Sequence, residues 1–260
     1  YKVVGIDNLL RYGERRPSAL KLKYEYINAD LADEYTDEVT FHVSTADYVI
    51  QAAARIYGIG GFNLYEADIL SYDVNIQHRL LTCIQKSPTP AHVVYISSSM
   101  VYESVRGAKF GGKYVGVREA DPEDYPAPRT AYGLSKYVGE RMLRHYHKQY
   151  GLTYTTWRPF NIITPHEPAD ITAIGISHVF ADYIENVIVQ KKNPLPIIGD
   201  GEQIRCFTWI GDVARGIVDN LENEVAYNTE FNLGNDDPIT MKTLANLIRE
   251  SAIYNGLLPK

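Results

Sequence analysis

Tyr132 and Lys136 stand four residues apart in the segment AYGLSKY. On a helix, this spacing places both side chains on one face, about one turn apart. The pair alone is weak evidence, because a chain with 21 tyrosines produces such spacings by chance and a tyrosine stacked on a lysine stem is the alternative. Upstream, the apolar run HVVYI ends in Ser97, Ser98 and Ser99, which places hydroxyl groups at the carboxyl end of a predicted strand. Active sites of parallel α/β sheets form at that end.

These side chains together suit proton transfer to and from a substrate oxygen. A phenol with a pKa of about 10 is a poor base at neutral pH, and a nearby ammonium favours the phenolate. We therefore expect Lys136 to lower the pKa of Tyr132, while a serine hydroxyl holds the same substrate oxygen. The chemistry indicated is oxidation of an alcohol or reduction of a ketone.

Short runs rich in β-branched and aromatic residues alternate with longer segments of helical period. Continuous apolar strands that alternate with helices predict a doubly wound α/β fold with a parallel sheet. Gly151 stands where the clearest helix should end. The predicted strands are residues 2–7, 24–30, 47–54, 92–99, 152–159 and a strand-like run at 194–200, and the predicted helices are 68–86, 131–150, 179–190 and 211–221.

Composition excludes several classes of protein. The 260 residues are 45% hydrophobic and 22% charged, which is typical of a globular protein rather than a fibrous or disordered one. A net charge of −6 does not favour a nucleic-acid binder. Cys83 and Cys206 are too few for a disulfide framework, so we expect a reduced, cytoplasmic protein without a metal site. No apolar run approaches the ~18 residues of a membrane helix and the first residues lack signal-peptide features, so we expect no membrane association.

The motifs along the chain resemble those of the extended short-chain dehydrogenase/reductase superfamily, in its NAD-dependent nucleotide-sugar epimerase and dehydratase branch. The resemblance covers nearly the whole chain, through VVGIDNL, DYVIQAAA, YISSSMVY, YGLSKYVGE, WRPFN and GDGEQIRCFTWIGDVA. It implies a Rossmann-like sheet with a smaller C-terminal substrate-binding lobe. It also implies that Ser98, Tyr132 and Lys136 are the catalytic residues.

The same resemblance implies NAD as the cofactor. Asp7 closes the first predicted strand, where an acidic residue bonds the adenosine ribose and repels a 2′-phosphate, so NAD is favoured over NADP. The remaining expected cofactor contacts are Asn8, Asp30, Leu31, Ala52, Ala53, Ala54, Tyr132, Lys136 and Pro159. A strand-end turn residue is the alternative for Asp7, and simple close packing is the alternative for the three alanines.

The substrate implied by the resemblance is a nucleotide-diphosphate sugar, with contacts from Ser99, Asn161 and Arg205. A guanidinium and an amide both suit a pyrophosphate, although a surface arginine without a ligand is the alternative for Arg205. The loop at residues 55–63 has three glycines, which indicate either a flexible wall beside the sugar or turn geometry alone. We expect specificity to lie in residues 162–177 and around Arg205.

The expected organisation is an NAD-binding Rossmann-like domain at residues 1–160 and a mainly substrate-binding lobe at 161–260, with about 203–233 returning to the first domain. The sequence opens on what looks like the second strand of the family, and no G-x-x-G-x-x-G loop precedes it. The first strand, glycine loop and first helix are therefore expected to be missing. The chain as written should bind NAD poorly, because that loop holds the cofactor pyrophosphate.

Members of this branch share oxidation to a 4-keto sugar and differ in the fate of that intermediate. Dehydratases carry an Asp-Glu pair where this chain has Ser99 and Met100, decarboxylases usually keep the Glu, and enzymes that epimerise at C3 and C5 usually place a Cys at the position of Met100. Because these three activities are disfavoured, the activity that we expect is that of a 4-epimerase. The alternatives are a nucleotide-sugar 4-dehydrogenase or ketoreductase, then a dehydratase or decarboxylase, and remotely a non-catalytic NAD-sensing or scaffold protein.

The resemblance also implies a homodimer that packs two helices of each subunit into a four-helix bundle. The helix with Tyr132 and Lys136 would be one of them. Its stripe of Leu134, Val138 and Met142 fits that contact or an internal core face equally well.

Overall fold

Short strands and eight α-helices alternate along the part of the chain that the structure describes. A computed structural model describes residues 1–11, 24–105, 109–110, 113–114, 116–169 and 176–259. In chain order the strands are β1 (Val4–Asp7), β2 (Glu25–Asn28), β3 (Tyr48–Gln51), β4 (His92–Ile96), β5 (Lys109–Phe110), β6 (Lys113–Tyr114), β7 (Tyr154–Pro159), β8 (Ile162–Ile163), β9 (Ile204–Cys206), β10 (Thr208–Trp209), β11 (Thr229–Leu233) and β12 (Pro238–Thr240). The helices within these residues are α1 (Asp37–Thr45), α2 (Ile59–Leu64), α3 (Glu66–Gln85), α4 (Asp121–Asp124), α5 (Ala131–Tyr150), α6 (Val179–Ile184), α7 (Ile210–Asp219) and α8 (Met241–Tyr254).

The chain divides into two compact units. The first contains residues 1–56, 65–159 and 216–232, and the second contains residues 57–64, 160–215 and 233–260. The segment that returns to the first unit thus begins at residue 216. Residues 57–64 belong to the second unit, and α2 occupies most of the segment 55–63 that was expected to be a loop. The cofactor and substrate roles expected for the two parts of the chain stay predictions.

The first unit contains a four-stranded sheet in the order β11-β7-β4-β3. Strands β3, β4 and β7 run parallel, with Tyr48 opposite His92 and Val93 opposite Tyr154. Strands β1 and β2 form a separate parallel pair. The predicted α/β fold with a parallel central sheet is confirmed.

The core of the first unit lies where β4 meets α3 and α5. Val93 of β4, Leu81 and Ile84 of α3, and Leu143 of α5 are all fully buried. Burial of one such side chain contributes on the order of 2 kcal/mol. Met142 of the predicted apolar stripe packs against this core cluster, which favours the core interpretation at that position.

Most predicted helices lie close to their expected bounds. Helix α5 occupies residues 131–150 as predicted, and it ends at Gly151, whose φ of 74° is left-handed and whose N–H donates to His147 O. Helix α7 begins one residue before its predicted start. Beyond α6, the predicted helix 179–190 continues as a π-helical turn at Glu185–Val189.

The strand predicted at residues 194–200 was wrong. The segment forms bends and turns instead of a strand. Pro194 and Pro196 lack the N–H groups that a ladder needs, and Gly199 has a φ of 80°, outside the extended region. The apolar residues Leu195, Ile197 and Ile198 were therefore a misleading signal.

The second unit has its own core. Tyr183 of α6 and Val187 of the π-helical turn belong to one buried cluster with Leu244, Ala245 and Ile248 of α8. Strand β9 pairs antiparallel with β12, and β8 pairs parallel with β10. Among the described residues, no helix has the length and apolar character needed to cross a membrane.

His92 begins β4 in a buried polar position. Its Nδ1 lies 3.0 Å from Thr153 Oγ1 and its Nε2 lies 3.0 Å from Thr155 Oγ1. The imidazole stacks on the Tyr227 ring at a centroid distance of 3.8 Å. Burial lowers the pKa of His92 to about 4.

The free energy of unfolding should therefore depend on pH through His92. Between pH 6.5 and about 4 the unfolded chain binds this proton and the folded chain does not, so stability falls as the pH drops through that window, by roughly 3 kcal/mol. Urea unfolding across that range measures the slope, and His92→Gln should flatten it. The exposed His145→Gln is the control and should leave the slope unchanged; an identical slope in His92→Gln would contradict the prediction.

Candidate active site

The carboxyl end of β4 carries the predicted row of serines. Ser97, Ser98 and Ser99 are all buried, and a 3₁₀ helix occupies Ser99–Val105. Met100 N donates to Ser98 Oγ at 3.2 Å, which holds the hydroxyl oxygen in place. Ser97 is committed elsewhere, because its hydroxyl donates to Glu140 Oε1 at 2.6 Å.

The N-terminus of α5 is anchored by a cap and a carboxylate. Thr130 Oγ1 accepts from Gly133 N at 3.2 Å, as an N-cap side chain does. Glu103 Oε2 in turn accepts from Arg129 N, Thr130 N and Thr130 Oγ1 at 3.0, 2.9 and 2.9 Å. These hydrogen bonds fasten the first turn of α5 to the 3₁₀ helix. The negative charge of Glu103 is also favourable at a helix N-terminus.

Two glycines of α5 allow the helix to approach β4 and the serine row. A Cβ at Gly133 would lie 2.8 Å from Met100 O, and a Cβ at Gly139 would lie 2.2 Å from Tyr95 Oη. Neither position has room for a side chain unless its neighbours shift. This close approach brings the first two turns of α5 to the end of β4.

The predicted trio comes together in this place. Tyr132 is hydrogen-bonded to Ser98, and the two residues are each 8% exposed. Lys136 is 3% exposed, donates from Nζ to Ile96 O at 3.0 Å and lies 5.8 Å from the centroid of the Tyr132 ring. A phenol, a hydroxyl and an ammonium therefore occupy one buried cluster.

Burial has the largest effect on the pKa of Tyr132. Burial raises it to about 12; the Ser98 hydrogen bond lowers it and the charge of Asp73 raises it further. Burial also lowers the pKa of Lys136, against the opposite effect of Asp73 and Glu140. The net shift of the Tyr132 pKa is upward, because the cost of burying a phenolate outweighs the favourable interactions; stabilisation of the phenolate by Lys136 stays a prediction.

A buried ion pair that the sequence analysis missed joins α5 to β7. Arg158 is fully buried and Glu140 is 3% exposed. Arg158 Nε donates to Glu140 Oε1 at 2.9 Å and Arg158 Nη2 donates to Glu140 Oε2 at 2.7 Å. Arg158 Nη1 donates to Tyr102 Oη at 2.7 Å and to Glu119 O at 2.8 Å. The only sequence signal was the position of Glu140 one turn after Lys136.

A second missed residue is Asp73 of α3. Its carboxylate is buried beside the trio, and Asp73 Oδ2 accepts from Ser135 Oγ at 3.1 Å. No local pattern marks an aspartate of a helix as facing another helix, so the sequence offered no signal for it.

Asp7, Asn8 and Asp30 lie at the ends of β1 and β2. The Asp7 carboxylate is exposed and accepts from Leu9 N at 2.6 Å. Asn8 Nδ2 donates to Asp30 Oδ2 at 2.8 Å, and Tyr72 Oη donates to the same oxygen at 2.5 Å. Burial raises the pKa of Asp30, but hydrogen bonds from Tyr72, Ala32 and Asn8 bring it below its usual value.

The other expected cofactor residues of the first unit follow its strands. Ala52, Ala53 and Ala54 come directly after β3, and the buried Gln51 side chain holds the Ala53 peptide through both its amide and its carbonyl. Pro159 ends β7, and Leu31 packs against the core cluster. Because β3, β4 and β7 are parallel, the alanines, the serine row and Pro159 lie at one edge of the sheet.

These residues fit NAD. Small side chains at the carboxyl end of β3 leave room for the cofactor, an exposed carboxylate at the end of β1 can accept from ribose hydroxyls, and the phenol and hydroxyl lie at the same sheet edge as the alanines. The donor set is thus that expected for a dinucleotide beside a proton-transfer group.

The predicted substrate residues Asn161 and Arg205 belong to the second unit. Asn161 has a φ of 35°, and its Nδ2 donates to Cys206 O at 3.3 Å. Arg205 lies in β9, and its Nη1 donates to Ile204 O at 2.7 Å. Of the expected specificity segment, residues 170–175 lie outside the described residues. The substrate roles of Ser99, Asn161 and Arg205 stay predictions.

Comparison with known proteins identifies the family. The model of the NAD dependent epimerase/dehydratase family matches residues 1–234. A putative UDP-glucose 4-epimerase of Methanocaldococcus jannaschii is 29% identical over 262 residues, covering 98% of this chain and 76% of that protein.

Solved structures share the fold. UDP-glucose 4-epimerase of Thermotoga maritima with UDP-glucose aligns with a TM-score of 0.75 at 23% identity, over 98% of this chain and 76% of that one. UDP-glucuronic acid 4-epimerase of Bacillus cereus with UDP-glucuronic acid and NAD aligns with a TM-score of 0.75 at 24% identity, over 96% and 74%.

The protein belongs to the NAD dependent epimerase/dehydratase family, as the motifs predicted. Its cofactor is NAD.

Removal of one partner of the Arg158–Glu140 pair should destabilise the protein strongly. Glu140→Gln leaves the guanidinium buried without its counter-charge, and we expect the free energy of unfolding to fall by about 3–5 kcal/mol in chemical denaturation. Addition of Arg158→Met to that variant should recover part of the loss. Glu123→Gln is the control, because the exposed Glu123 pairs with Arg141 and Arg144 at the surface and should cost less than about 1 kcal/mol. Equal losses in Glu140→Gln and Glu123→Gln would refute the prediction.

Proposed function

We propose that this protein is an NAD-dependent nucleotide-sugar 4-epimerase that acts through a transient 4-keto sugar. The single observation that carries the proposal is the buried cluster of Ser98, Tyr132 and Lys136. The similarity to 4-epimerases that use UDP-sugars supports it. NAD, when bound, supplies the ring that takes a hydride from the sugar and returns it.

Tyr132 is the proposed acid and base. Its pKa of about 12 in this structure means that the phenol is protonated at neutral pH, so it can donate its proton to a keto oxygen. Removal of a proton from a sugar hydroxyl requires stabilisation of the phenolate. The ammonium of Lys136 is a positive charge on this chain that lies near the phenol ring.

Ser98 is the proposed partner for the same sugar oxygen. Its hydroxyl is already hydrogen-bonded to Tyr132, and the backbone of Met100 donates to its oxygen. A substrate oxygen bound between Ser98 and Tyr132 would therefore meet donors whose positions are set before it arrives.

The residues beside the trio favour epimerisation over loss of water. Ser99 and Met100 follow Ser98, and neither side chain is an acid or a base able to exchange a proton with the sugar carbons. The trio would supply the proton transfers for oxidation and reduction of one carbon, and NAD would accept and return the hydride. A 4-dehydrogenase or ketoreductase would use the same trio, and cofactor turnover separates it from an epimerase.

The substrate proposed is a UDP-sugar, held in part by Ser99, Asn161 and Arg205. The Arg205 guanidinium and Asn161 amide offer the charged and neutral donors that a diphosphate accepts. The residues proposed to hold NAD are Asp7, Asn8, Asp30, Leu31, the alanines of residues 52–54, Tyr132, Lys136 and Pro159.

Turnover without net redox change tests the function. The purified protein is incubated with UDP-glucose, UDP-glucuronate or UDP-N-acetylglucosamine, with NAD no higher than the protein concentration, and products are resolved by chromatography and NMR. We expect an isomer of equal mass. A product two mass units lighter that forms only with stoichiometric NAD would make the protein a dehydrogenase, and a product lighter by water would make it a dehydratase.

Tyr132→Phe should lower the rate of isomer formation by about 100-fold or more, because the substrate loses its acid and base. Tyr137→Phe is the matched control on the same helix; its hydroxyl binds Arg141 at 2.6 Å, and its loss should leave the rate near that of the parent protein. A Tyr132→Phe variant as active as Tyr137→Phe would rule out the assigned acid and base.

We also propose a homodimer through α3 and α5. The two helices are each 20 residues long and pack against each other in the first unit. Sedimentation equilibrium should give twice the 29.4 kDa chain mass, and a monomer at micromolar concentration would exclude the dimer.

A further inference from the structure

Asp73 is a buried carboxylate that the proposed chemistry does not use. It belongs to the inward face of α3 and is 7% exposed. Asp73 Oδ1 accepts from Arg55 N at 2.8 Å, and Asp73 Oδ2 accepts from Ser135 Oγ at 3.1 Å. Both oxygens therefore have donors, which is the arrangement that a buried carboxylate needs to remain ionised.

The hydrogen bond to Ser135 reaches the turn of α5 that carries the proposed acid and base. Ser135 directly precedes Lys136, and its hydroxyl hydrogen is shared between Asp73 and Tyr132 O, which lies 2.9 Å away. Asp73 thus contacts α5 between the two residues whose spacing matters for proton transfer.

The charged and titratable groups that face Lys136 come from three elements. Asp73 lies on α3, Tyr95 on β4, and Tyr132 and Glu140 on α5 itself. Glu140 is occupied by Arg158 and Ser97, so its charge is largely compensated by contact. Within the described residues, no ion pair of contact distance neutralises Asp73.

Asp73 and Lys136 stabilise each other's charged forms. Burial lowers the pKa of Lys136. Two carboxylates oppose this effect, and the contribution of Asp73 is larger than that of Glu140. Burial raises the pKa of Asp73, and the charge of Lys136 makes the largest contribution in the opposite direction. The interaction acts at more than contact distance, which is effective in a buried site where little water screens it.

We propose that Asp73 is a positioning residue of the site: its ionised carboxylate keeps Lys136 protonated and fastens the first turns of α5 through Ser135. The catalytic importance of Lys136 rests on the proposed function, whereas its charge state does not.

Direct titration of Lys136 tests the proposal without any substrate. Protein labelled with ¹³C and ¹⁵N at lysine is titrated by NMR, and the Lys136 signal is assigned by its loss in Lys136→Met. We expect Asp73→Asn to lower the Lys136 midpoint by about one pH unit or more. Asp68→Asn is the control, because Asp68 is an exposed residue of the same helix that lies 3.8 Å from Arg55, and it should leave the midpoint unchanged.

Ser135→Ala separates charge from contact. It removes a hydrogen bond to Asp73 but keeps the carboxylate, so the Lys136 midpoint should stay closer to the wild-type value than in Asp73→Asn. A Lys136 midpoint that is the same in folded Asp73→Asn as in the wild type would overturn the proposal.

Titration of Asp73 in the Lys136→Met variant tests the same interaction if Asp73→Asn does not fold. Two interacting sites shift each other equally, so Lys136→Met should raise the midpoint of the Asp73 carboxyl carbon by the same amount that Asp73 raises that of Lys136. An Asp73 midpoint unmoved by Lys136→Met would also overturn the proposal. Because neither titration requires turnover, absence of epimerase activity would reject the proposed function and leave this result standing.

Discussion

Glu140 and Arg158 face each other in the interior of the first unit, and their bidentate contact makes the burial of both charges tolerable. The contact joins α5 to β7. Through Ser97 it reaches the end of β4, and through Tyr102 it reaches the adjoining 3₁₀ helix. Every element that carries a residue of the proposed trio is therefore connected to this pair, and α5 cannot slide along the sheet without breaking it.

Burial has opposite effects on the parts of the site. It makes the charged forms of Tyr132 and Lys136 costly, which gives a raised pKa for the phenol and a lowered one for the ammonium. It also strengthens each electrostatic interaction, because little water remains to screen it. The network therefore places carboxylates and cations alternately, with Asp73 beside Lys136 and Glu140 beside Arg158.

Local signals made α5 and the trio predictable. Periodicity, the glycine at residue 151 and the four-residue spacing of Tyr132 and Lys136 all act within one helix, and the serine row directly follows its strand. Asp73 and Arg158 were not predictable, because their partners lie 62 and 18 residues away and are chosen by packing. The strand at 194–200 was mistaken because apolar character was counted without the missing proline donors. The net rise of the Tyr132 pKa was also beyond local signals, because it depends on burial.

Glu103 reduces the conformational entropy of the first turn of α5 in the folded protein. Helix ends fray, and Tyr132 lies in the first turn of α5, where motion would spread the phenol over many positions. Three hydrogen bonds from residues 129 and 130 to one carboxylate oxygen suppress that motion. The ordering of the first turn is completed when the chain folds, so a bound sugar need not supply the free energy to order it during each turnover.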